Sequence, residues 1–238
     1  MTQTQTLNKI DLLDGGYIIM HDDGVMGSDL SVVNSARVSY GKRSEELSEK
    51  DIKLIHFLAR EGHTSPFRHA TLQFEVKVPL MIARQWWKYI VGSGWQDPMV
   101  AWNESSRRYI TSENEYHMPD YFRATPANSK QGSGAPVDER LNNLYLELLH
   151  HHQQRGEQLY QDAMKDGICA EQARLFLSAY GLYVHFYWTA SLQGVAHLIA
   201  QRTKPDAQKE FQDYANAVEQ VTRMKFTHSI DALLKQKD

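Results

Sequence analysis

The chain has 238 residues, with 26 Lys plus Arg against 29 Asp plus Glu, a formal balance of −3, and a single cysteine. That balance argues against a general electrostatic grip on nucleic acid or anionic membrane. One thiol excludes an internal disulfide framework or a multi-cysteine metal cluster, and suits a reducing cytoplasm. Hydrophobic residues make up 42% and aromatics 11%, enough to fill a sizeable core. No apolar run approaches the ~18 residues of a membrane span. The polar start Met1-Thr-Gln-Thr-Gln-Thr lacks the basic and apolar regions of an export signal.

In chain order, Tyr17-Ile-Ile-Met-His21 is expected as a strand and Asp22-Asp-Gly24 as a turn. A helix starts near Asp29. A stronger one runs from Ser48 to Glu61, where Ser48 and Asp51 have capping-box spacing, Ile52, Ile55 and Leu58 share a face, and Gly62 is a stop. Thr71 to Val78 alternates Leu72, Phe74, Val76 and Val78 with Gln73, Glu75 and Lys77, a strand with one buried and one wet face. Pro79 then suits the first turn of a helix reaching Trp87 or Ile90. Ala127 to Pro136 reads as a mobile loop. A long amphipathic helix follows, with Leu141, Leu144, Tyr145, Leu148, His152, Leu159, Tyr160 and Ala163 at helical spacing, ending at Gly167. Cys169 to about Arg202 is apolar throughout and is expected to be core helix. Pro205 breaks it, and Asp206 to Met224 repeats the amphipathic pattern through Ala207, Phe211, Tyr214, Val218 and Val221. The fold class expected is α+β (mixed α/β), one domain over 1–238, with a small antiparallel-rich sheet and a mostly helical second half.

Cys169 sits between Ile168 and Ala170 with no basic neighbour to lower its pKa, so an inert buried thiol is expected. His150-His151-His152 cannot converge on a metal, because successive helical side chains point about 100° apart. No metal site is expected. Four of the five tryptophans, Trp86, Trp87, Trp95 and Trp102, fall in one segment that ends in Asn103-Glu-Ser-Ser-Arg-Arg-Tyr109. Aromatics, fixed cations, amides and hydroxyls mixed in this way suit a planar heterocycle carrying phosphate, although a surface loop capping the core has the same composition. Arg174 and Arg202 each interrupt an apolar stretch, and a guanidinium there needs a buried carboxylate or an anionic ligand.

Five blocks carry a resemblance: Leu30-Ser-Val-Val-Asn-Ser-Ala-Arg-Val-Ser39, Gly62-His-Thr-Ser-Pro-Phe-Arg-His69, Ala83-Arg-Gln-Trp86, Asn103-Glu-Ser-Ser-Arg-Arg-Tyr109, and Ala200-Gln-Arg202 continuing to Ala207-Gln-Lys-Glu-Phe-Gln-Asp-Tyr-Ala215. In this order, over nearly the whole length, the chain resembles the flavin-dependent thymidylate synthases. The resemblance implies a cytoplasmic homotetramer with active sites shared between subunits. It implies that dUMP is methylated at C5 with carbon from methylene-tetrahydrofolate and hydride from reduced FAD, which NADPH recharges. No cysteine nucleophile is implied. For dUMP, the matching positions are Gln85, Trp86, Trp87, Lys88, Glu104, Ser105, Ser106, Arg107, Arg108, Arg174 and Arg202. Ser106 falls at the family's prominent serine, Arg108 at a phosphate clamp, and Arg202 at the catalytic arginine facing the uracil edge. For FAD they are Ser65, Lys88, Tyr89, Ile90, Glu104, Ser191, Gln193 and His197.

The sequence also departs from the pattern. The usual signature is Arg-His-Arg, seven residues, then the serine; here the triplet is Lys88-Tyr89-Ile90 and fifteen residues separate it from Ser106. Arg68 replaces a commonly acidic position, and Ser191 and Gln193 stand where many members have Asn and Arg. The longer loop, with Trp95 and Trp102, is expected to help cover the flavin. Because the departures gather on the flavin side, two alternatives stay open. One is a C5 methylase or hydroxymethylase of another pyrimidine nucleotide such as UMP. The other is a non-catalytic nucleotide- or RNA-binding homologue.

Overall fold

The computed structural model describes residues 8–91, 100–105, 113–127 and 132–235, with the side chains of Ile90 and Val91 excepted. In chain order the elements are β1 (Lys9–Leu12), β2 (Gly16–Met20), α1 (Asp29–Arg37), α2 (Glu49–Arg60), α3 (Ser65–Arg68), β3 (Thr71–Pro79), α4 (Leu80–Trp86) and α5 (Lys88–Val91). They continue with β4 (Ala101–Glu104), α6 (Glu139–Lys165), α7 (Ala170–Ala173), β5 (Tyr183–Ser191), α8 (Leu192–Arg202) and α9 (Lys209–Leu234). The strands form one antiparallel sheet in the order β1-β2-β3-β5-β4. This is the mixed α+β architecture that the patterning implies.

The centre of the sheet is the pairing of β3 with β5, in register from Thr71 opposite Ser191 to Pro79 opposite Tyr183. Period-two alternation gives each strand two faces. Ile18, Met20, Leu72, Phe74, Val76, Val78, Phe186, Trp188 and Ala190 are buried together with α8 and α9 residues such as Leu198, Phe211 and Val218. The opposite face is wet. At its middle the Glu75 carboxylate accepts hydrogen bonds from Tyr17 Oη at 2.9 Å and Tyr187 Oη at 2.8 Å, and pairs with His21 Nε2 at 2.9 Å and His185 Nε2 at 2.8 Å.

The capping box holds: Ser48 Oγ accepts from Asp51 N while the Asp51 carboxylate accepts from Ser48 N. Pro79 directly precedes α4, and the long helices α6 and α9 lie where periodicity puts them. The turn between β1 and β2 passes through Leu13 at φ 54°, a conformation that costs a non-glycine residue of order 1 kcal/mol. It carries Asp14, whose carboxylate accepts from Tyr183 Oη at 2.6 Å and Met118 N at 2.7 Å, tying the first turn to β5.

Three expectations need correction. Cys169–Arg202 is not one core helix: it splits into α7, two short 3-10 turns, the central strand β5 and α8. Tyr183-Val-His-Phe-Tyr-Trp-Thr-Ala-Ser191 is aromatic and β-branched, which favours a pleated surface over a helix. Cys169 is not buried; it is exposed just before α7, with Sγ 3.9 Å from Gln172 Oε1. The apolar residues in the first half of α6, Leu141, Leu144, Tyr145 and Leu148, share a helical face but stay accessible, and only the second half packs, through Tyr160 and Ala163 against Ala173, Leu177 and Leu182. His150, His151 and His152 are exposed on α6. Of the loop 127–136, residues 128–131 lie outside the described residues; its described end is held by Gly134 N to Ala124 O and Ala124 N to Ala135 O, both 2.8 Å. Among the described residues, no helix is long and apolar enough to cross a membrane.

Candidate active site

Two groups of predicted site residues form, one on each side of a buried tryptophan. The first gathers at the last turn of α8, where the helix dipole favours a cation. There Arg202 is partly buried; its Nη1 donates to Gln85 Oε1 of α4 at 3.2 Å. Its guanidinium carbon lies 5.3 Å from the centre of the Tyr89 ring and 5.0 Å from that of Phe211. The Arg202 Nε–H is buried with no partner among the described residues. Gln85 is itself oriented: its amide nitrogen donates to Gln208 Oε1, and Gln208 donates to Glu210 Oε2 at 3.0 Å. Burial alone would raise the Glu210 carboxyl, but the ion pair with Arg123 and the Gln208 amide outweigh it and hold the group below the usual carboxylate range. A cavity of about 360 Å³ opens beside this relay, with Met81, Arg123, Tyr180, Gln208 and Glu210 in its wall.

The second group lines a cleft of about 460 Å³ between the end of β4, the 174–179 segment and the start of β5. Glu104, Ser105 and Arg174 meet there with Leu80, Tyr183 and Val184. Ser105 N donates to His185 O at 2.8 Å, which fixes the strand end. Trp102 stacks on Phe186 at 3.6 Å and meets the half-exposed Trp87 edge-on at 5.4 Å. Desolvation raises the Glu104 carboxyl, and a hydrogen bond with the Trp102 side chain opposes it. Arg174 is not the buried guanidinium that its apolar neighbours imply. It lies exposed in a 3-10 turn, Nε donating to Glu171 O at 3.2 Å, because the neighbours Leu175 and Phe176 are themselves 82% and 46% exposed.

Trp86 lies between the two groups and is fully buried. It stacks on Phe211 at 5.3 Å, below Arg202, and meets Phe186, below Trp102, edge-on at 5.6 Å. Its side chain is a partition in the core and faces neither cleft, which corrects its place in the nucleotide-lining set. Gln85 and Trp86 are successive helical residues pointing about 100° apart, so they cannot share one surface. Ser106, Arg107 and Arg108 lie outside the described residues, as does the Ile90 side chain.

A family model of the thymidylate synthase complementing proteins matches residues 23–226. The chain belongs to this family. It is 33% identical over 224 residues to the flavin-dependent thymidylate synthase of Thermosipho africanus, covering 94% of this chain and 93% of that one. To the enzyme of the same name from Thermus thermophilus it is 36% identical over 215 residues, 90% of this chain and 74% of that one. Among solved structures, the UMP/dUMP methylase PolB from Streptomyces cacaoi bound with 5-Br dUMP superposes with a TM-score of 0.78 at 24% identity, covering 95% of this chain and 97% of that one, a likeness of fold.

Family membership implies a flavin, and the residues expected to face it are placed as follows. Ser65 opens α3 and is exposed, and α3 packs against α8. On α8, His197 is exposed and Gln193 is half-buried with its Oε1 lacking any hydrogen-bond partner among the described residues. That orphan costs about 1–3 kcal/mol, which a bound donor removes. Lys88 is exposed, next in sequence to Tyr89, whose ring meets His197 at 5.7 Å. Hydroxyl, amide, imidazole and ammonium form a donor set that fits a flavin nucleotide. Two expected members stand apart from it. Ser191 is fully buried as the N-cap of α8, accepting from Gly194 N at 3.2 Å, and Tyr89 is buried against His197 and Arg202 rather than offered to a ring from outside. Sequence reasoning gave no site role to Phe211 or Gln208, and placed Trp102 over the flavin rather than beside Trp87 and Phe186. The first two lie in a family block already quoted, and their signal was position five and eight residues beyond the break at Gln201-Arg-Thr203.

Proposed function

We propose that the chain is a flavin-dependent thymidylate synthase, a single domain over residues 1–238 that converts dUMP to dTMP. The co-substrates in this reading are methylene-tetrahydrofolate, as carbon donor, and NADPH. The observation that carries it is the arginine held by Gln85 against two aromatic rings. When bound, reduced FAD supplies the hydride that completes the new methyl group, and NADPH restores it.

The chain's own residues bind, orient and polarise. Arg202 presents a planar cation to the N3 and carbonyl edge of the uracil. Negative charge on the ring is thereby stabilised, and electron density rises at C5, the carbon that attacks the folate-borne one-carbon unit. Gln85 fixes the plane of that guanidinium. Glu104, Ser105 and Arg174, with Ser106, Arg107 and Arg108 next in sequence, take the ribose and phosphate, where forked guanidinium groups match phosphate oxygens. Trp87 and Lys88 border the nucleotide, while Ser65, Lys88, Gln193 and His197 hold the flavin. Because Trp86 divides the two groups within one chain, the reading includes a homotetramer in which the Glu104 side of one copy faces the Arg202 side of another. No step uses Cys169, which lies in neither group. A cytoplasmic setting supplies the reduced nicotinamide.

The test is a visible absorption spectrum of purified protein, followed through additions of NADPH, then dUMP with methylene-tetrahydrofolate. Flavin bands that bleach with NADPH and return on turnover, with dTMP formed and UMP inert, are expected. Colourless protein that takes up no added FAD overturns the reading, and methylated UMP as the main product replaces it with the ribonucleotide methylase.

A further inference from the structure

We propose that Tyr89 is a positioning residue that, together with Phe211, forms an aromatic corner against which the Arg202 guanidinium rests, holding it in place for the nucleotide. The inference rests on the function proposed above and deepens it.

An arginine at the end of a helix carries about 2 kcal/mol of rotamer freedom. Its Nη1 donates to Gln85 Oε1 and the Tyr89 hydroxyl is a second hydrogen-bond partner, contacts that hold the edge of the fork but leave its faces to other groups. The rest of its surroundings are rings, which stand edge-on to each other at 85°. Both Tyr89 and Phe211 lie inside the ~6 Å over which an aromatic face attracts a cation. Neither ring is free to turn away. Phe211 is fully buried and stacked on Trp86. Tyr89 is buried, tilted against His197 at 5.7 Å and edge-on to Phe211 at 6.5 Å.

The residue type matters here. The signature has a histidine at this position, between two arginines; this chain has Lys88-Tyr89. Lys88 is exposed and Tyr89 is turned in, so the cation faces out and a neutral ring meets Arg202. An imidazole there can acquire charge and repel the guanidinium. A tyrosine cannot become a cation, and burial pushes its phenol above the ordinary value even though Arg202 opposes the shift. The ring thus adds no competing positive charge beside Arg202.

Tyr89→Phe and Tyr89→Leu, made in the full-length FAD-loaded enzyme, test the corner. Rates are taken per bound flavin. Loss of the ring face should lower kcat about tenfold in Tyr89→Leu, with KM for dUMP moved less than about threefold, since one face contact to a desolvated cation is worth about a decade. Tyr89→Phe should keep kcat within about twofold, because the ring rather than the hydroxyl acts. A Phe variant as damaged as Leu, or a Leu variant with unchanged kcat, overturns the proposal. If the wild-type protein does not turn over dUMP, it is the functional reading that falls. The corner is then judged from crystal structures of wild type and Tyr89→Leu: Arg202 displaced from Phe211 and Gln85 in the variant upholds it, and Arg202 unmoved overturns it.

Discussion

Helix α9 breaks at Phe226, where φ is −132° and ψ 49°, and the N–H groups beyond the break have no helical carbonyl to reach. A carboxylate almost two hundred residues earlier takes them. Buried Asp29, the first residue of α1, accepts from His228 N and Ser229 N, both at 2.9 Å, and from Ser229 Oγ. Replacing Asp29 with Ala removes all three acceptor contacts. An exposed N-cap loses about 0.5–2 kcal/mol on such a change because water takes over. Here water has no access, and each buried donor left unpaired costs about 1–3 kcal/mol. The Ser229 hydroxyl can rotate to another acceptor but the two N–H groups cannot, so the loss should be about 4 kcal/mol. For a chain of this size that is roughly 8–16 °C in Tm. Urea unfolding followed by far-ultraviolet circular dichroism, at one fixed protein concentration, measures it as a fall in midpoint with unchanged slope. Phe226 is fifteen residues, about 22 Å of helix, from Phe211, so kcat per bound flavin should hold. A stability loss below about 1 kcal/mol would refute the reasoning, since the donors must then have found other partners.

Arg202→Lys keeps the charge but loses the planar fork, and kcat should fall about 10²- to 10³-fold, as when one aimed donor is removed from a site of developing charge; a loss under tenfold in steady-state turnover speaks against the assigned role. Glu75 is desolvated, yet the hydrogen bonds from Tyr187, Tyr17, His185 and His21 win and hold its carboxyl at about 2, against an ordinary 4.5. The folded value lies below the unfolded one, so its contribution is complete above pH 4.5 and disappears as pH falls towards 2. With solvent screening on this partly open face the contribution is about 1–2 kcal/mol, and the stability gap between wild type and Glu75→Gln should close as pH falls from 4.5 towards 2; a gap independent of pH counts against it. Gly156 sits in α6, where a Cβ would come within 2.6 Å of Phe176 O. Gly156→Ala should therefore lower Tm despite its better helix propensity and raise KM for dUMP by shifting the Arg174 segment, whereas a higher Tm would show that the backbone can yield.

What was legible in the sequence is what local chemistry decides. The α2 cap, the alternation of β3 and the spacing of α9 each follow from residues within one element. β5 was hidden because both of its faces are bulky: Tyr183, His185 and Tyr187 on the wet side break the apolar–polar contrast that marks β3. β4 has four residues and takes its strand character from pairing with β5. At the site, Gln85 and Arg202 were found through family blocks, and the structure joins them. Arg174 was misjudged on burial because apolar neighbours in sequence imply a core only if they are buried themselves. Trp86 was misassigned because adjacency in a motif was taken as adjacency on a surface.

The meeting of Gln85 and Arg202 follows from element lengths. β3 and β5 are antiparallel neighbours of nine residues each, so α4, which follows β3, and α8, which follows β5, begin at opposite ends of the same pair. That pair is about 27 Å long. Both helices fold back over the buried face: α8 runs about 16 Å to Arg202, and α4 about 9 Å to Gln85. The two lengths together nearly span the strand pair, which brings the ends of the helices into hydrogen-bond contact above Trp86. Each helix leaves its strand with almost no linker, through Pro79 in one case and the Ser191 cap in the other, so neither can slide. The guanidinium is therefore placed in distance by sheet and helix geometry, and held there by Gln85 and by the corner that Tyr89 and Phe211 form. Such a site tolerates change in its exposed neighbours. The altered pair Lys88-Tyr89 fits this view, because Lys88 is exposed and Tyr89, which is turned inward, touches Arg202.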